Sequence, residues 1–460
     1  MASPSNSEAF SASAPSAVPK LKRVLTLQDL ILYGIILIMP IAPVPLFGLA
    51  QKLSNGHAVT TILIAMFAMM LTAYSYGRMA AVFPSAGSAY TYVGRGINQH
   101  LGFLAGWAML MDYLLVPVIC TVYGALTLQR LAPTVPYAVW VALFAGSITI
   151  VNLRGIRATA FANLVMMTVM TSVVLVFMAL AVRWLLHTQG LPGLISTTPF
   201  YDPGTFHWET IAVGTSLAAL TYGGFDGVTT LSEDAQNPKR NVLIATVFVC
   251  FFTGIFGGLQ VYLAQRVWPD YHTLPNIETA FMDVTRVVGG PILFGAMAGI
   301  LIVANLGAGL TAQAGISRLL FGMGRDSVLP PQVFAHLDKK RNTPTYNMLL
   351  VGAFAFIGAL ALNYERAAEL INFGAFLAFM GVNAAAARQF YFLKPASERH
   401  LLTGLILPAS GFVFCFAIWL NLPWQSKLLG TFWFLVGVIY AAVRTRGFRT
   451  APVMTSLGEM

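Results

Sequence analysis

The sequence predicts an all-α protein that crosses a membrane twelve times, and three observations support this fold class. Of its 460 residues, 57% are apolar and only 10% are charged, whereas about a quarter of the residues of a soluble domain are charged. The apolar residues come in runs of roughly 20, the length that a helix needs to cross about 30 Å of hydrocarbon. With a cytoplasmic N-terminus, 20 Lys and Arg residues fall inside and 7 outside, as the positive-inside rule expects.

The chain divides into four parts. Residues 1–19 are rich in Ser, Ala and Pro and are predicted to be a disordered cytoplasmic N-terminus. Residues 20–392 hold a core of ten helices, residues 393–445 hold two more, and residues 446–460 form a cytoplasmic tail. The predicted spans are 27–50, 58–82, 101–131, 136–153, 160–186, 210–235, 241–265, 290–322, 346–364, 367–392, 401–420 and 424–443.

The first span, LYGIILIMPIAPVPLFG, contains Pro40, Pro43 and Pro45. Each proline lacks an N–H and clashes with the preceding turn, so the helix should break at mid-membrane. The carbonyl groups that should lose a partner are those of Ile36, Met39 and Ile41, while N–H donors remain at Ile41, Ala42 and Val44. The break is therefore predicted to be rich in acceptors and poor in donors, which favours a cation over an anion.

The sixth span, AVGTSLAALTYGGFDGVTTLSE, has Gly223, Gly224 and Gly227 clustered around Asp226. Glycine permits an unwound backbone, which survives at membrane depth only where protein or a watery cavity satisfies it. The two interrupted spans each open a possible set of five helices. Matched interruptions in two halves indicate a transporter site at the repeat interface; the alternative is ordinary kinks, since Gly and Pro are common in membrane helices.

Acidic residues inside the spans are rare. A charge at mid-bilayer costs roughly 2.5–3.5 kcal/mol, so Asp112 in span three and Asp226 in span six are functional candidates, with Glu233 towards the inner end of span six. The alternatives are that Asp226 caps freed N–H groups of a half-helix and that Asp112 is a buried, hydrogen-bonded acid. Tyr222 and Phe225 flank the second break and could close over an amine by cation–π contact.

Other classes of function are disfavoured. All seven histidines fall in loops or at span ends, and the three cysteines show no ligand spacing. The sequence contains neither a Gly-rich phosphate loop nor a nucleophile elbow, so we predict no catalytic residue, metal site, cofactor or nucleic-acid partner. A channel would need a filter or a ring of charges, and neither is visible.

Two segments, TYGGFDGVTTLSEDAQNPKR and SRLLFGMGRDSVLPPQVF, resemble the amino acid–polyamine–organocation superfamily. The segments FPSAGSAYTYVGRGIN, GFLAGWAMLMDYLLVP and LINFGAFLAF resemble its bacterial putrescine-importer branch more closely. This resemblance implies a core of five plus five helices in an inverted repeat, two added helices, and transport driven by an ion gradient. It also implies that Tyr113 lines the pathway and that Glu233 is a recurrent acid.

The chain departs from this family in two places. Prolines replace the Gly-Ser/Ala-Gly stretch at the first break, where many relatives hold a substrate carboxylate. Span five lacks the lysine of many proton-coupled relatives, so the coupling ion, proton or sodium, stays open.

The predicted function is secondary active transport of a small cationic amine of the putrescine type; the alternative is an α-amino acid permease or an amino acid/amine exchanger. The predicted location is the inner cell membrane, with both termini cytoplasmic and an unknown oligomeric state. The predicted substrate-binding residues are Pro40, Ala42, Pro43, Tyr113, Tyr222, Gly223, Gly224, Phe225, Asp226 and Glu233, with Asp112 as a possible secondary residue.

Overall fold

A computed structural model describes residues 24–84, 88–154, 160–325, 329–338 and 343–450. The predicted N-terminal disordered segment and most of the predicted tail lie outside these ranges. Within them the chain is helical, with two isolated β-bridges, Leu25 to Ala235 and Asp338 to Thr343.

The α-helices are α1 (Leu27–Ile38), α2 (Phe47–Leu53), α3 (Ala58–Val82), α4 (Ser88–Gly96), α5 (Gln99–Leu131), α6 (Tyr137–Leu153), α7 (Ala160–Leu194), α8 (Trp208–Ala218), α9 (Pro238–Val267), α10 (Ala280–Arg325), α11 (Pro331–Phe334), α12 (Thr345–Ala361), α13 (Tyr364–Ala387), α14 (Leu407–Leu420) and α15 (Trp424–Arg444). Four 3₁₀ segments cover Ala219–Tyr222, Phe225–Leu231, Tyr271–Thr273 and Ala396–Glu398. Two π-helical segments, Arg388–Phe392 and Leu401–Ile406, follow α13 and precede α14.

In the described residues, eight helical segments are long and apolar enough to cross a membrane. They lie at 58–82, 99–131, 164–194, 238–267, 280–325, 364–392, 401–420 and 424–444. The helices Leu27–Ile38, Tyr137–Leu153 and Thr345–Ala361 are apolar but shorter. Each predicted span overlaps a helix or two helical pieces on either side of a break, whereas α4 lies outside every predicted span.

Two long helices contain a kink with the same chemistry. Gly190 in α7 and Gly290 in α10 both have positive φ, 68° and 64°, and a proline follows each within two residues. A left-handed residue cannot continue a right-handed helix, and proline cannot donate to the preceding turn. The segments before and after each kink are therefore separate helical pieces.

Helices five places apart in the order of predicted spans pack against each other in antiparallel fashion. In α3 and α9, a Cβ added at Gly77 would lie 2.6 Å from the Leu243 Cα, whereas Gly254, further along α9, faces Met66, earlier in α3. Later residues of α9 therefore contact earlier residues of α3, so the two helices run antiparallel.

The same relation holds for the next two pairs. Near the end of α5, Arg130 forms an ion pair with Asp283 at the start of α10, while Cys120, earlier in α5, lies opposite Gly309, later in α10. In α6 and α12, Tyr137 donates to the Ala359 carbonyl over 3.1 Å, and the later residue Thr149 faces the earlier Gly352.

Candidate substrate-binding site

The first span is broken where the sequence predicts. A capping box between Thr26 and Asp29 starts α1, and the helix ends at Ile38 because Met39 has a φ of 69°. Turns fill residues 40–46 until α2 begins at Phe47.

The hydrogen bonds of this break differ from those expected. The Ala42 N–H donates to the Met39 carbonyl over 3.1 Å, and the Val44 N–H donates to the Ile41 carbonyl over 3.0 Å. Two of the three carbonyls expected to lose their partner are thus satisfied locally. The prediction of an acceptor-rich break was wrong in this respect, because the expected donors and acceptors pair with each other in tight turns.

Pro40 and Pro43 face α9. The Pro40 carbonyl accepts from Gln260 Nε2 over 2.9 Å, and a Cβ added at Gly257 would lie 3.2 Å from Pro43 Cγ. Both prolines border a small, mainly apolar cavity lined by Ile35, Met39, Pro40, Pro43, Phe252, Thr253, Phe256 and Gly257. Ala42 is half-buried. The proline residues therefore anchor the break to α9.

The second break also lies where the sequence predicts. After α8 the chain forms the 3₁₀ segment Ala219–Tyr222, Gly223 is extended with ψ of 129°, and Gly224 has φ of 104°. A second 3₁₀ segment, Phe225–Leu231, follows. A Cβ added at Gly224 would lie 3.4 Å from the Leu37 carbonyl oxygen, so the second break packs against the last turn of α1, beside the first break.

The direction of this contact is antiparallel as well. Gly34 of α1 lies against Val228, and the later residue Leu37 lies against Gly224. The broken spans one and six therefore pack with the same antiparallel relation as the three helix pairs described above.

Two predicted ligands point into the protein core. Tyr222 is fully buried and donates from its hydroxyl to the Ile62 carbonyl over 2.8 Å. Phe225 is fully buried as well, and its ring centroid lies 5.4 Å from that of Tyr76 and 5.3 Å from that of Phe379. These side chains pack in the core and hold the second break in place.

Asp226 is the acid at the second break. It is 9% exposed, and its carboxylate accepts from the Ser88 hydroxyl over 3.4 Å. Its backbone carbonyl accepts from Thr229 Oγ1 over 2.7 Å. Ser88 is the first residue of α4, a helix that the hydropathy pattern did not reveal, so its contact with Asp226 was not predicted.

Asp112 and Tyr113 lie near the middle of α5. Asp112 is half-buried, and Tyr113 is 40% exposed although it lies within an apolar span. Helix α5 packs against α4, whose first residue, Ser88, donates to Asp226. The helix that carries Asp112 and Tyr113 thus packs against the same short helix that contacts Asp226.

Glu233 lies apart from this group. It is exposed and follows the 3₁₀ segment in a turn, where the neighbouring Asp234 carbonyl accepts from the N–H groups of Val24 and Leu25. An α-helix would have placed Glu233 two turns from Asp226 on the same face, but a 3₁₀ helix has a different periodicity and the turn ends it.

Comparisons with known proteins identify the family of the chain. The sequence profile of the amino acid permease family matches residues 30–454. The chain is 32% identical to the low-affinity putrescine importer PlaP of Escherichia coli (strain K12), over 94% of this chain and 95% of PlaP. It is 26% identical to the branched-chain amino acid permease BcaP of Lactococcus lactis, over 92% and 95% of the two chains.

A more distant relative is the vacuolar cationic amino acid transporter 4 of Arabidopsis thaliana, with 25% identity over 79% of this chain and 62% of the transporter. The resemblance drawn from the motifs is thereby confirmed. The chain belongs to the amino acid permease family, whose members are membrane transporters rather than enzymes.

Proposed function

We propose that this amino acid permease family member is a secondary active transporter that carries a small cationic amine of the putrescine type by alternating access. The observation that carries the proposal is Asp226, a buried acid held within the second of two adjacent helix breaks. Acids at such depth mark substrate or ion pathways.

The charge at the site favours a cation. In the part of the chain that the structure describes, Asp226 forms no ion pair, and its side chain accepts from the uncharged Ser88 hydroxyl. A positively charged ligand would therefore supply the counter-charge. The N–H groups of Ala42 and Val44 are already used in local turns, which makes the first break a poor binding site for a carboxylate.

The alternative substrate is an α-amino acid, since BcaP and the plant transporter are described as amino acid carriers. The name of the relative with the higher identity, PlaP, describes a putrescine importer, which favours the amine.

The antiparallel helix pairs support an inverted repeat. The first four predicted spans each pack antiparallel to the span five places later, that is, spans six to nine. The second set of five spans would then cross the membrane in the opposite direction to the first set. Binding sites of such folds lie at the repeat interface, where the two breaks meet. We accordingly propose twelve spans, with both termini in the cytoplasm and the chain in the inner cell membrane, as the distribution of basic residues indicates.

Competition for uptake into proteoliposomes tests the substrate class. Amino acids and their decarboxylated amines, such as ornithine and putrescine, or leucine and isoamylamine, are compared as competitors of whichever labelled compound is transported. The proposal expects each amine to compete better than its parent amino acid. A transported amino acid whose amine fails to compete at large excess would favour the α-amino acid permease.

A further inference from the structure

We propose that His57 is a pH-sensitive clasp: its neutral imidazole holds the turn of residues 202–206 against the start of α3, and a second proton on the ring releases this turn. His57 directly precedes α3. The turn belongs to the loop between α7 and α8 and leads into the second broken span. The clasp concerns the order of this loop and does not depend on which substrate the chain carries.

The hydrogen bonds of His57 determine which ring nitrogen carries the proton. Its Nε2 lies 3.1 Å from the backbone nitrogen of Asp202, whose N–H can only donate, so Nε2 must accept. Its Nδ1 lies 3.0 Å from the carbonyl oxygen of Ser54, which can only accept, so Nδ1 must donate. A neutral imidazole with its proton on Nδ1 satisfies both contacts. An imidazolium has an N–H on both nitrogens and cannot accept from Asp202.

His57 is enclosed, so a positive charge on its ring would lack solvation. Only 1% of the residue is exposed, and the ring of Phe206 meets the imidazole edge-on, with the ring centroids 5.2 Å apart. Burying a charge without a partner is costly. Protonation would therefore both break the bond to Asp202 and favour movement of the turn away from the ring, which admits water.

The surrounding elements do not pair a carboxylate with this imidazole. The charged side chains and other histidines on α2, on residues 195–209, on the last turn of α9 and on the 3₁₀ segment Tyr271–Thr273 are Lys52, Asp202, His207, Glu209, Arg266 and His272. In the described residues none of them forms an ion pair with His57. The Asp202 carboxylate accepts from the Gly204 N–H over 2.9 Å, which orders the turn itself.

The first part of the loop is attached through hydroxyl groups instead. Thr60 donates to the Phe200 carbonyl over 2.7 Å, and Tyr262 donates to the Leu194 carbonyl over 2.7 Å. Neither bond involves an imidazole. Protonation of His57 should therefore loosen residues 202–206 more than residues 194–200.

Hydrogen–deuterium exchange of the purified full-length chain, corrected for the intrinsic effect of pH on exchange, tests the clasp. The two conditions are about pH 7.5 and about pH 5.5, within the range in which histidine side chains ordinarily change charge. In the wild type, the protection of residues 202–206 should fall by about tenfold at the lower pH, as expected for the loss of one buried hydrogen bond. Residues 194–200 should change less.

Three variants identify the group that responds to pH. His57→Gln, which cannot gain a proton, should remove the pH dependence of residues 202–206. His207→Gln removes an exposed histidine of the same loop, and Asp202→Asn removes the carboxylate of the turn; both should keep the pH dependence of the wild type.

Equal protection of the turn at both pH values in the wild type would overturn the inference. A pH dependence that persists in His57→Gln, or that disappears in His207→Gln or Asp202→Asn, would also overturn it. If His57→Gln does not fold, the wild type and the other two variants still decide, because each of their results either supports or contradicts the clasp. Amide protection is measured without any substrate, so these results are independent of the proposed transport function.

Discussion

Replacing Gly224 by alanine should destabilise the protein through backbone strain alone. Gly224 has φ of 104° and ψ of −9°, a region that residues with a Cβ rarely adopt. The space around it is adequate, because the added Cβ would lie 3.4 Å from the Leu37 carbonyl oxygen and 3.6 Å from Leu37 Cβ. A steric clash therefore contributes little.

Gly223→Ala is the matched control. Gly223 has φ of −53° and ψ of 129°, which any residue can adopt, and an added Cβ would lie 3.3 Å from the Leu220 carbonyl oxygen. Each substitution also restricts the unfolded chain, which stabilises the folded state by about 0.4–1 kcal/mol. This gain cancels in the comparison, so the difference between the two variants reports the strain at Gly224, of order 1–3 kcal/mol.

The measurement is the free energy of unfolding of both variants in mixed micelles, by titration with SDS. Gly224→Ala should be less stable than Gly223→Ala by about 1–3 kcal/mol. Equal stability of the two variants would show that residue 224 does not adopt the left-handed conformation, and the geometry of the second break would be wrong.

Three further predictions concern other parts of the chain. Asp226→Asn should lower amine uptake by about tenfold or more, since it removes the charge at the break. Glu233→Gln, which changes an exposed acid just after the same segment, should transport at nearly the wild-type rate. An equal loss of uptake in the two variants would contradict the assignment of Asp226 to the site. Gly77→Ala should lower the thermal unfolding temperature, because its Cβ would lie 2.6 Å from a backbone Cα of α9. Gly258→Ala should not lower it, since the nearest neighbour of the added Cβ lies at 3.6 Å. A larger drop in unfolding temperature for Gly258→Ala than for Gly77→Ala would exclude the pairing of α3 with α9. Burial raises the pKa of Glu278, in the loop between α9 and α10, above its ordinary value of 4.5. The folded state then binds the proton more tightly than the unfolded chain, so the free energy of unfolding should fall as pH rises from 4.5 through the raised pKa. Glu278→Gln should flatten this part of the profile of stability against pH.

The two breaks could be predicted from sequence because their causes are local. Proline removes a donor and glycine permits positive φ wherever they occur, so the residue types in Pro40–Pro45 and Tyr222–Gly227 are enough to indicate interrupted helices. The helix α4 could not be predicted in this way. It has nine residues, too few for a spanning run, and its position depends on packing against α5 and α13.

Side-chain direction was harder to predict at the second break. Tyr222 and Phe225 flank the glycines in sequence, but the local winding is 3₁₀, with a different number of residues per turn, and both side chains point into the core. The hydrogen-bond partners of the first break were equally hard to predict. Ala42 and Val44 find acceptors within their own turns, which depends on dihedral angles that the prolines alone do not determine.

Counter-flow in proteoliposomes tests the central claim, that the chain is an amine carrier, most directly. Vesicles preloaded with unlabelled putrescine are diluted into labelled putrescine, and the accumulation of label is followed against empty vesicles. A carrier that alternates its access should accumulate label transiently above equilibrium in preloaded vesicles, and Asp226→Asn should not. Uptake that preloading leaves unchanged would indicate a channel, and preloading that stimulates uptake only with amino acids would contradict the assignment of an amine.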